Sequence, residues 1–353
     1  MDADCGPQLQ ATVQEAVATK TALCILGGSS KNFYGRASSG KSLAVYEHRG
    51  ILNYQPSELI ITARSGTPLT EIETALAEHG QMLPFEPPHF GPSATLGGTI
   101  ACGISGPRRP YTGAVRDFVL GVKIINGKGE ILKFGGEVMK NVAGFDVSRL
   151  MVGSLGTLGI LLEISLKILP KPQSELTLAF QTSPQQAIAL LTDWNSCPMP
   201  LSAACYDGEQ LRVRLSGSDT EVRITRQKIG GTEEPDSSTF WERMREHRHD
   251  FFNDTAPLWR LSVPPAAAPL NLPGQWIMDW GGAQRWLKNP LPAEVIRETV
   301  VRLGGHAALF RNGPRNGQVF HPLPPALLIL HKRLKSAFDP HGILNRGRLY
   351  AEF

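Results

Sequence analysis

The chain has 353 residues, with 36 basic and 32 acidic side chains and 41% hydrophobic residues. That is enough for about two domains with a sizeable core. The scattered basic residues exclude a nucleic-acid stripe, and no run of about 18 uninterrupted apolar residues offers a spanning helix.

The N-terminus, MDADCGPQLQATVQEAVATK, is acidic and then amphipathic, without the charged-then-apolar order of a secretion signal. The five cysteines (Cys5, Cys24, Cys102, Cys197, Cys205) are widely spaced and form no CxxC pair. A disulfide framework, a zinc ribbon or an iron–sulfur cluster held within this chain is disfavoured, and a reduced cytoplasmic protein fits.

In chain order, residues 8–19 place Leu9, Val13, Ala16 and Val17 on one helical face. Ala22–Leu26 reads as a buried strand that runs into Gly27-Gly28-Ser29-Ser30-Lys31, the order of a phosphate-cradling turn. Leu43–Tyr46 and Leu59–Ala63 read as strands. Leu69–His79 reads as a helix opened by Pro68 and stopped by Gly80. This order predicts a small parallel sheet with helices packed on it.

The stretch Gly91–Gly121 carries seven glycines and Arg108, Arg109 and Arg116, with no acidic residue before Asp117. Such a segment lets the main chain approach a ligand and can hold an anion on backbone N–H groups. Val119–Ile125 and Glu130–Phe134 flank Asn126-Gly127-Lys128-Gly129 as a hairpin. Gly144–Gly153 reads as a short helix, and Gly156-Thr157-Leu158-Gly159 leads into a strand at Ile160–Leu169.

Beyond Pro172, strands are predicted at Thr177–Gln181, Leu211–Leu215, Leu258–Val263 and Trp276–Trp280. Helices are predicted at Pro184–Asn195, Glu221–Ile229, Phe240–Asp250, Pro292–Leu303 and Ala326–Phe338. All six tryptophans fall in this half, where core packing is their default role.

Some motifs lead nowhere. Gly35–Ser42 spells GxxxxGK[ST], but a loop precedes it and a strand-like run follows, so the helix that would face phosphates is missing. No GxGxxG follows a strand, and no GxSxG or HExxH occurs. His247 and His249, at i and i+2 of a predicted helix, share no face, so no metal site is expected. Three glycine-rich segments are left, 27–31, 91–121 and 153–160, a set suited to a long ligand with a central diphosphate.

These features together resemble the vanillyl-alcohol-oxidase (PCMH) type of FAD-binding domain. The resemblance rests on Ile25–Lys31, SATLGGTIACG at 93–103, RDFVLG at 116–121, residues 136–161 and FDPHGILNRGRLY at 338–350. GGTIACGISGPRRP, FGGEVMKNVAGFDVSRLMVGS, WRLSVP and DWGGAQRWLK are similar to the E-subunit family of bacterial glycolate oxidases (glycolate dehydrogenases). The resemblance implies an α+β fold, with a two-subdomain FAD-binding domain at 1–172 and a smaller α+β cap domain at 173–330. Residues 331–353 would return to the FAD domain. It also implies oxidation of glycolate to glyoxylate in a complex with a D subunit, a flavoprotein, and an F subunit that carries iron–sulfur clusters. Membrane association would come only through that complex, at the inner face of the cytoplasmic membrane.

Carried over by the same resemblance, Gly27, Gly28, Ser29, Ser30 and Lys31 hold the FAD diphosphate, and Thr95, Leu96, Gly97 and Gly98 form the second side of the cradle. Ile100, Ala101 and Gly106 lie near the flavin or ribityl chain. Arg116 and Asp117 orient the segment or bind polar flavin atoms, Ile160 lies near the adenine, and Asn345 approaches the isoalloxazine. The turn at 27–31 has no His, so the resemblance implies non-covalent FAD. The metal-binding His cluster of related 2-hydroxyacid dehydrogenases is absent from the sequence, and no catalytic base stands out. Arg260 and Arg285 are candidates for binding a substrate carboxylate. The alternative reading is a structural or assembly subunit with a relay or vestigial flavin site.

Overall fold

The computed structural model describes residues 2–136 and 146–353. The start of the predicted helix at 144–153 and the residues 137–145 of the 136–161 block lie outside the described residues. Two compact units emerge: residues 1–104, 114–170 and 315–353 form the first, and 105–113 with 171–314 form the second. The sequence boundaries at 172/173 and 330/331 therefore differ from the unit boundaries over 105–113 and 315–330.

Among the described residues the first unit shows two hydrophobic cores. The helix Gly6–Thr19 buries Leu9, Val13 and Ala16, the expected stripe. They pack with Leu23 and Leu43 of the parallel strand pair Leu23–Leu26 and Lys41–Ala44, and with Ile343 and Leu344 of the tail. The second core is built on a five-stranded antiparallel sheet. Its order is Ile51–Gln55, Ile60–Arg64, Ile160–Lys167, Val119–Ile125, Ile131–Gly135. The helix Leu69–Glu78 adds Leu69, Ile72 and Leu76 to it. The expected small parallel sheet thus reduces to one parallel pair. The strands that follow join the antiparallel sheet because the 119–135 hairpin and Ile160–Lys167 supply its antiparallel partners.

The tail is held by one buried knot. Lys335, near the end of the helix Pro325–Phe338, donates to Asp339 at 2.6 Å, to the Thr157 carbonyl at 2.8 Å and to the Leu344 carbonyl at 2.9 Å. Asp339 in turn accepts from the Ile343 and Leu344 N–H groups at 3.1 and 2.8 Å. Leu344 then bridges Leu23 in parallel register, which extends the strand pair.

The second unit is an eight-stranded antiparallel sheet. Its order is Thr232–Glu233, Ser174–Gln181, Gln210–Gly217, Leu201–Tyr206, Gln275–Asp279, Gln284–Lys288, Leu258–Ser262, His306–Arg311. Four of these strands escape sequence reading, the two-residue Thr232–Glu233 among them. Leu201–Tyr206 is buried at every position and so shows no alternation. Gln284–Lys288 hides a buried arginine behind a polar signature, and His306–Arg311 begins on an exposed histidine. The tryptophans are buried or half-buried, as their default role requires.

The charged helix ends at Arg245, earlier than its pattern suggests, so His247 and His249 lie beyond it. His247 has a φ of 53° and stacks on Phe252, with ring centroids 4.0 Å apart, against Trp286 and Phe310. Burial, with Arg311 and Arg260 nearby, holds its pKa well below the usual histidine value. Above pH 6.5 the ring is neutral in both the folded and unfolded states. Below pH 6.5 the unfolded chain takes up a proton that the folded chain refuses, so stability falls with falling pH, by up to about 1.4 kcal/mol per unit. The expected result is a melting temperature that declines from pH 6.5 to 5.0 more steeply in the wild type than in His247→Phe. Parallel curves would remove His247 from this account.

Candidate functional site

A cavity of about 300 Å³ opens inside the first unit, between its two cores. The strand Leu23–Leu26 delivers one wall. Its last carbonyl, on Leu26, accepts from Val45 N–H at 2.8 Å, and the chain then turns through Gly28, Ser29 and Ser30. Their three N–H groups meet no acceptor among the described residues, and Ser29 sits at φ 60°. Successive donors in such a turn form an anion-binding concavity. Gly28 is required by space: a Cβ there would lie 1.4 Å from the Ser93 carbonyl oxygen.

The second wall is the helix Leu96–Cys102, whose N-cap Thr95 accepts from Gly98 N–H at 3.2 Å. Leu96 and Gly97 N–H groups donate to the carbonyls of Thr67 and Ser65 at 2.9 and 2.7 Å. Three of the four N–H groups expected on the second side of the cradle, those of Leu96, Gly97 and Gly98, are thus engaged. This wall supplies close approach, because Gly97 packs so tightly that a Cβ would come within 2.6 Å of Ser65 Cβ.

The third wall is Ser154-Leu155-Gly156, with Leu155 and Gly156 at φ 51° and 72°. Asn345 clamps it. Its amide accepts from Ile25 N–H at 2.8 Å and donates to the Leu155 carbonyl at 2.7 Å. Both ends of that amide are engaged, so Asn345 lines the cavity as a brace between two walls.

The charges at the cavity are positive. Lys31 is buried and donates to the His89 carbonyl at 3.2 Å. Arg315 donates to the carbonyls of Gly35 and Arg36 at 2.9 and 3.1 Å, and Arg348 to those of Arg36 and Asn32 at 3.0 and 3.2 Å. Among the described residues these guanidiniums meet carbonyls and no carboxylate, and burial lowers the pKa of both. Burial also pushes the Cys102 thiol up, away from the reactive thiolate. The GxxxxGK[ST] run lies beside this cavity through Ala37 and Ser38, and the strand Lys41–Ala44 follows it, so no helix start faces a phosphate.

Of the residues expected at the site, Gly27 to Lys31, Thr95, Gly97, Gly98, Ala101, Ile160 and Asn345 line the cavity. Leu96 and Ile100 point into the hydrophobic core instead, since a helix with one face on a cavity turns the other inward. Gly106 belongs to the second unit, where its carbonyl accepts from Trp280 Nε1 at 3.0 Å. Arg116 and Asp117 are exposed. Asp117 orients its own turn by accepting from Ala114 N–H at 2.8 Å.

The two catalytic candidates do not line this cavity. Arg285 is fully buried and donates to the carbonyls of Gly282, Ala267 and Ala268, and burial lowers its pKa to about 10. It is a structural clamp and not an available carboxylate receptor. Arg260 is half-buried in the strand Leu258–Ser262, opposite Trp286. No cluster of three or more metal-ligating side chains occurs among the described residues. Sequence reasoning did not assign Ser65, Arg315 or Arg348 to the site, whereas Ser154 to Gly156 fall in the glycine-rich segment 153–160. Gly156 and Gly159 signalled the third wall, whereas nothing local distinguishes Arg315 and Arg348.

A family model described as an FAD binding domain matches residues 5–135. The chain is 48% identical over 351 residues to the glycolate oxidase subunit GlcE of Escherichia coli (strain K12), covering 99% of each chain. It is 34% identical over 154 residues to the glycolate oxidase subunit GlcD of Bacillus subtilis (strain 168), covering 43% of this chain and 33% of that one. Among solved structures, an alkyldihydroxyacetonephosphate synthase aligns with a TM-score of 0.68 at 16% identity, covering 96% of this chain and 74% of the other, a likeness of fold. The fold is of the vanillyl-alcohol-oxidase type, and the chain belongs to the family of the glycolate oxidase subunit GlcE.

Proposed function

We propose that the chain is an FAD-binding subunit of a glycolate oxidase (glycolate dehydrogenase) complex. The observation that carries the reading is the row of open N–H donors at Gly28, Ser29 and Ser30, facing a cavity lined by glycines and buried cations. These residues fit a dinucleotide. The 28–30 turn would hold the diphosphate, Lys31 and Arg348 would balance its charge, and Gly97, Gly98 and Ala101 would admit the flavin and its chain closely. The Asn345 brace would keep the walls at fixed separation. Bound there, FAD would supply a two-electron acceptor for chemistry at a 2-hydroxy acid. Attachment would be non-covalent, since the 27–31 turn contains no histidine.

In the same proposal the first unit is the flavin domain and the second the cap. The partners are a D-type flavoprotein and an F-type iron–sulfur subunit. The complex is cytoplasmic and reaches the membrane only through its assembly; no helix among the described residues is long and apolar enough to cross one.

One observation favours a relay or assembly role over substrate oxidation by this chain. Among the described residues, the cavity lining contains donors, thiols and guanidiniums, with no carboxylate or imidazole to take the hydroxyl proton.

The test is direct. The purified chain is expected to show flavin absorbance, or a higher melting temperature on adding FAD. Neither would end the reading. Anaerobic mixing of the flavin-loaded chain with glycolate is expected to leave the flavin oxidised until the D-type subunit is added. Rapid bleaching by the chain alone would assign the oxidation to it.

A further inference from the structure

The helix Pro325–Phe338 carries apolar side chains on its exposed face as well as on its inward one. Its inward face carries Leu328, His331, Leu334, Lys335 and Phe338, all buried or half-buried. That face is tied down by the Lys335 knot and by His331 against the rings of Tyr350 and Phe353. At 100° per residue the opposite face presents Ala326, Ile329, Leu330, Arg333 and Ala337, all exposed, where a solvated helix would carry polar residues. On that face Ile329 and Leu330 are 53% and 50% exposed, and Leu327, at the start of the helix and off that face, is 45% exposed. Two prolines, Pro324 and Pro325, set the first turn and hold this end in place.

We propose that the outward face of this helix is a docking surface for another subunit of the glycolate oxidase complex, one that presents an apolar groove with an acidic rim. The proposal rests on the reading of the chain as a subunit, and not on the flavin site. Leaving such a patch in water is unfavourable, and contiguous exposed apolar surface marks interaction sites. The pattern is that of an amphipathic helix whose i, i+3 and i+4 residues enter a partner's groove. Lys332 and Arg333 are exposed one turn beyond Ile329, so the groove that receives the apolar end meets positive charge at its border. Charge complementarity there calls for carboxylates on the partner.

The test co-expresses the tagged chain with the D-type and F-type subunits of its own complex and measures their recovery with it. Ile329→Glu/Leu330→Glu is expected to lower recovery at least tenfold. Ile224→Glu/Val301→Glu, at exposed apolar positions elsewhere, is expected to leave it unchanged. FAD affinity of each isolated variant is measured separately, so loss of the flavin reading and loss of this surface are told apart. Should the double variant fail to fold, Arg333→Glu serves in its place, with recovery expected to fall and to lose salt dependence. Undiminished recovery of the other subunits overturns the proposal. So does a change from dimer to monomer in the isolated chain, which would make a second copy the occupant. Loss of binding to anionic vesicles, with recovery intact, would overturn it in favour of a lipid surface.

Discussion

Replacing Gly28 with alanine is expected to lower FAD affinity by ~100-fold or more, equivalent to about 2.7 kcal/mol. The added Cβ would fall 1.4 Å from the Ser93 carbonyl oxygen and 2.5 Å from its carbon, both backbone atoms that no rotamer change can move aside. Either the 27–30 turn or the segment before the helix Leu96–Cys102 must retreat. Both are walls of the cavity, and the turn carries the open donors. The Ser93 hydroxyl also donates to the Gly28 carbonyl at 2.5 Å, so the displacement breaks a tie between the walls. Gly317→Ala is the matched control, since a Cβ there meets nothing within 4 Å. Isothermal titration of FAD into both variants checks the expectation. Equal affinities would mean that the 28–30 turn does not hold the ligand.

Lys335→Met is expected to destabilise the first unit by roughly 3–5 kcal/mol, the usual cost of removing one partner from a buried ion pair. The substitution leaves Asp339, whose side chain is fully buried, without its cation, and leaves the carbonyls of Thr157 and Leu344 without their donor. The damage reaches the site through the chain. Leu344 registers the tail against Leu23, and Asn345 is the brace between the first and third walls. The variant is therefore expected to lose FAD affinity as well as stability, although Lys335 does not line the cavity. Urea denaturation followed by circular dichroism measures the first effect and FAD titration the second. A midpoint near that of the wild type would show that the tail is anchored elsewhere.

The two expectations concern residues of different legibility. Gly28 could be singled out because a strand followed by Gly-Gly-Ser-Ser-Lys has local meaning: a turn with the backbone laid open. Lys335 could not, because it lies among Arg333, Leu334 and Ser336 on a helix whose charges look solvated. Only the fold turns it inward, onto carbonyls 178 and 9 residues away in sequence. Arg285 shows the same limit from the other side. A lone arginine in the run DWGGAQRWLK reads as an available cation, yet its guanidinium is enclosed by three carbonyls of its own unit.

By itself the sequence determined the local elements with clear periodicity, the three glycine-rich segments, and the rejection of the GxxxxGK[ST] run. These depend on backbone conformation and on immediate neighbours, which sequence spacing records. Only the tertiary structure decided three things. It set the strands in an antiparallel sheet, because register depends on partners distant in the chain. It kept Leu96 and Ile100 in the core while Gly97, Gly98 and Ala101 line the cavity, because the helix's rotation is fixed by what packs behind it. It also brought Arg315 and Arg348 to the cavity from the far end of the chain, and it made Asn345, expected at the flavin by resemblance, a brace between two walls. The glycines at 27–28 and 97–98 open the space, and the tail closes it.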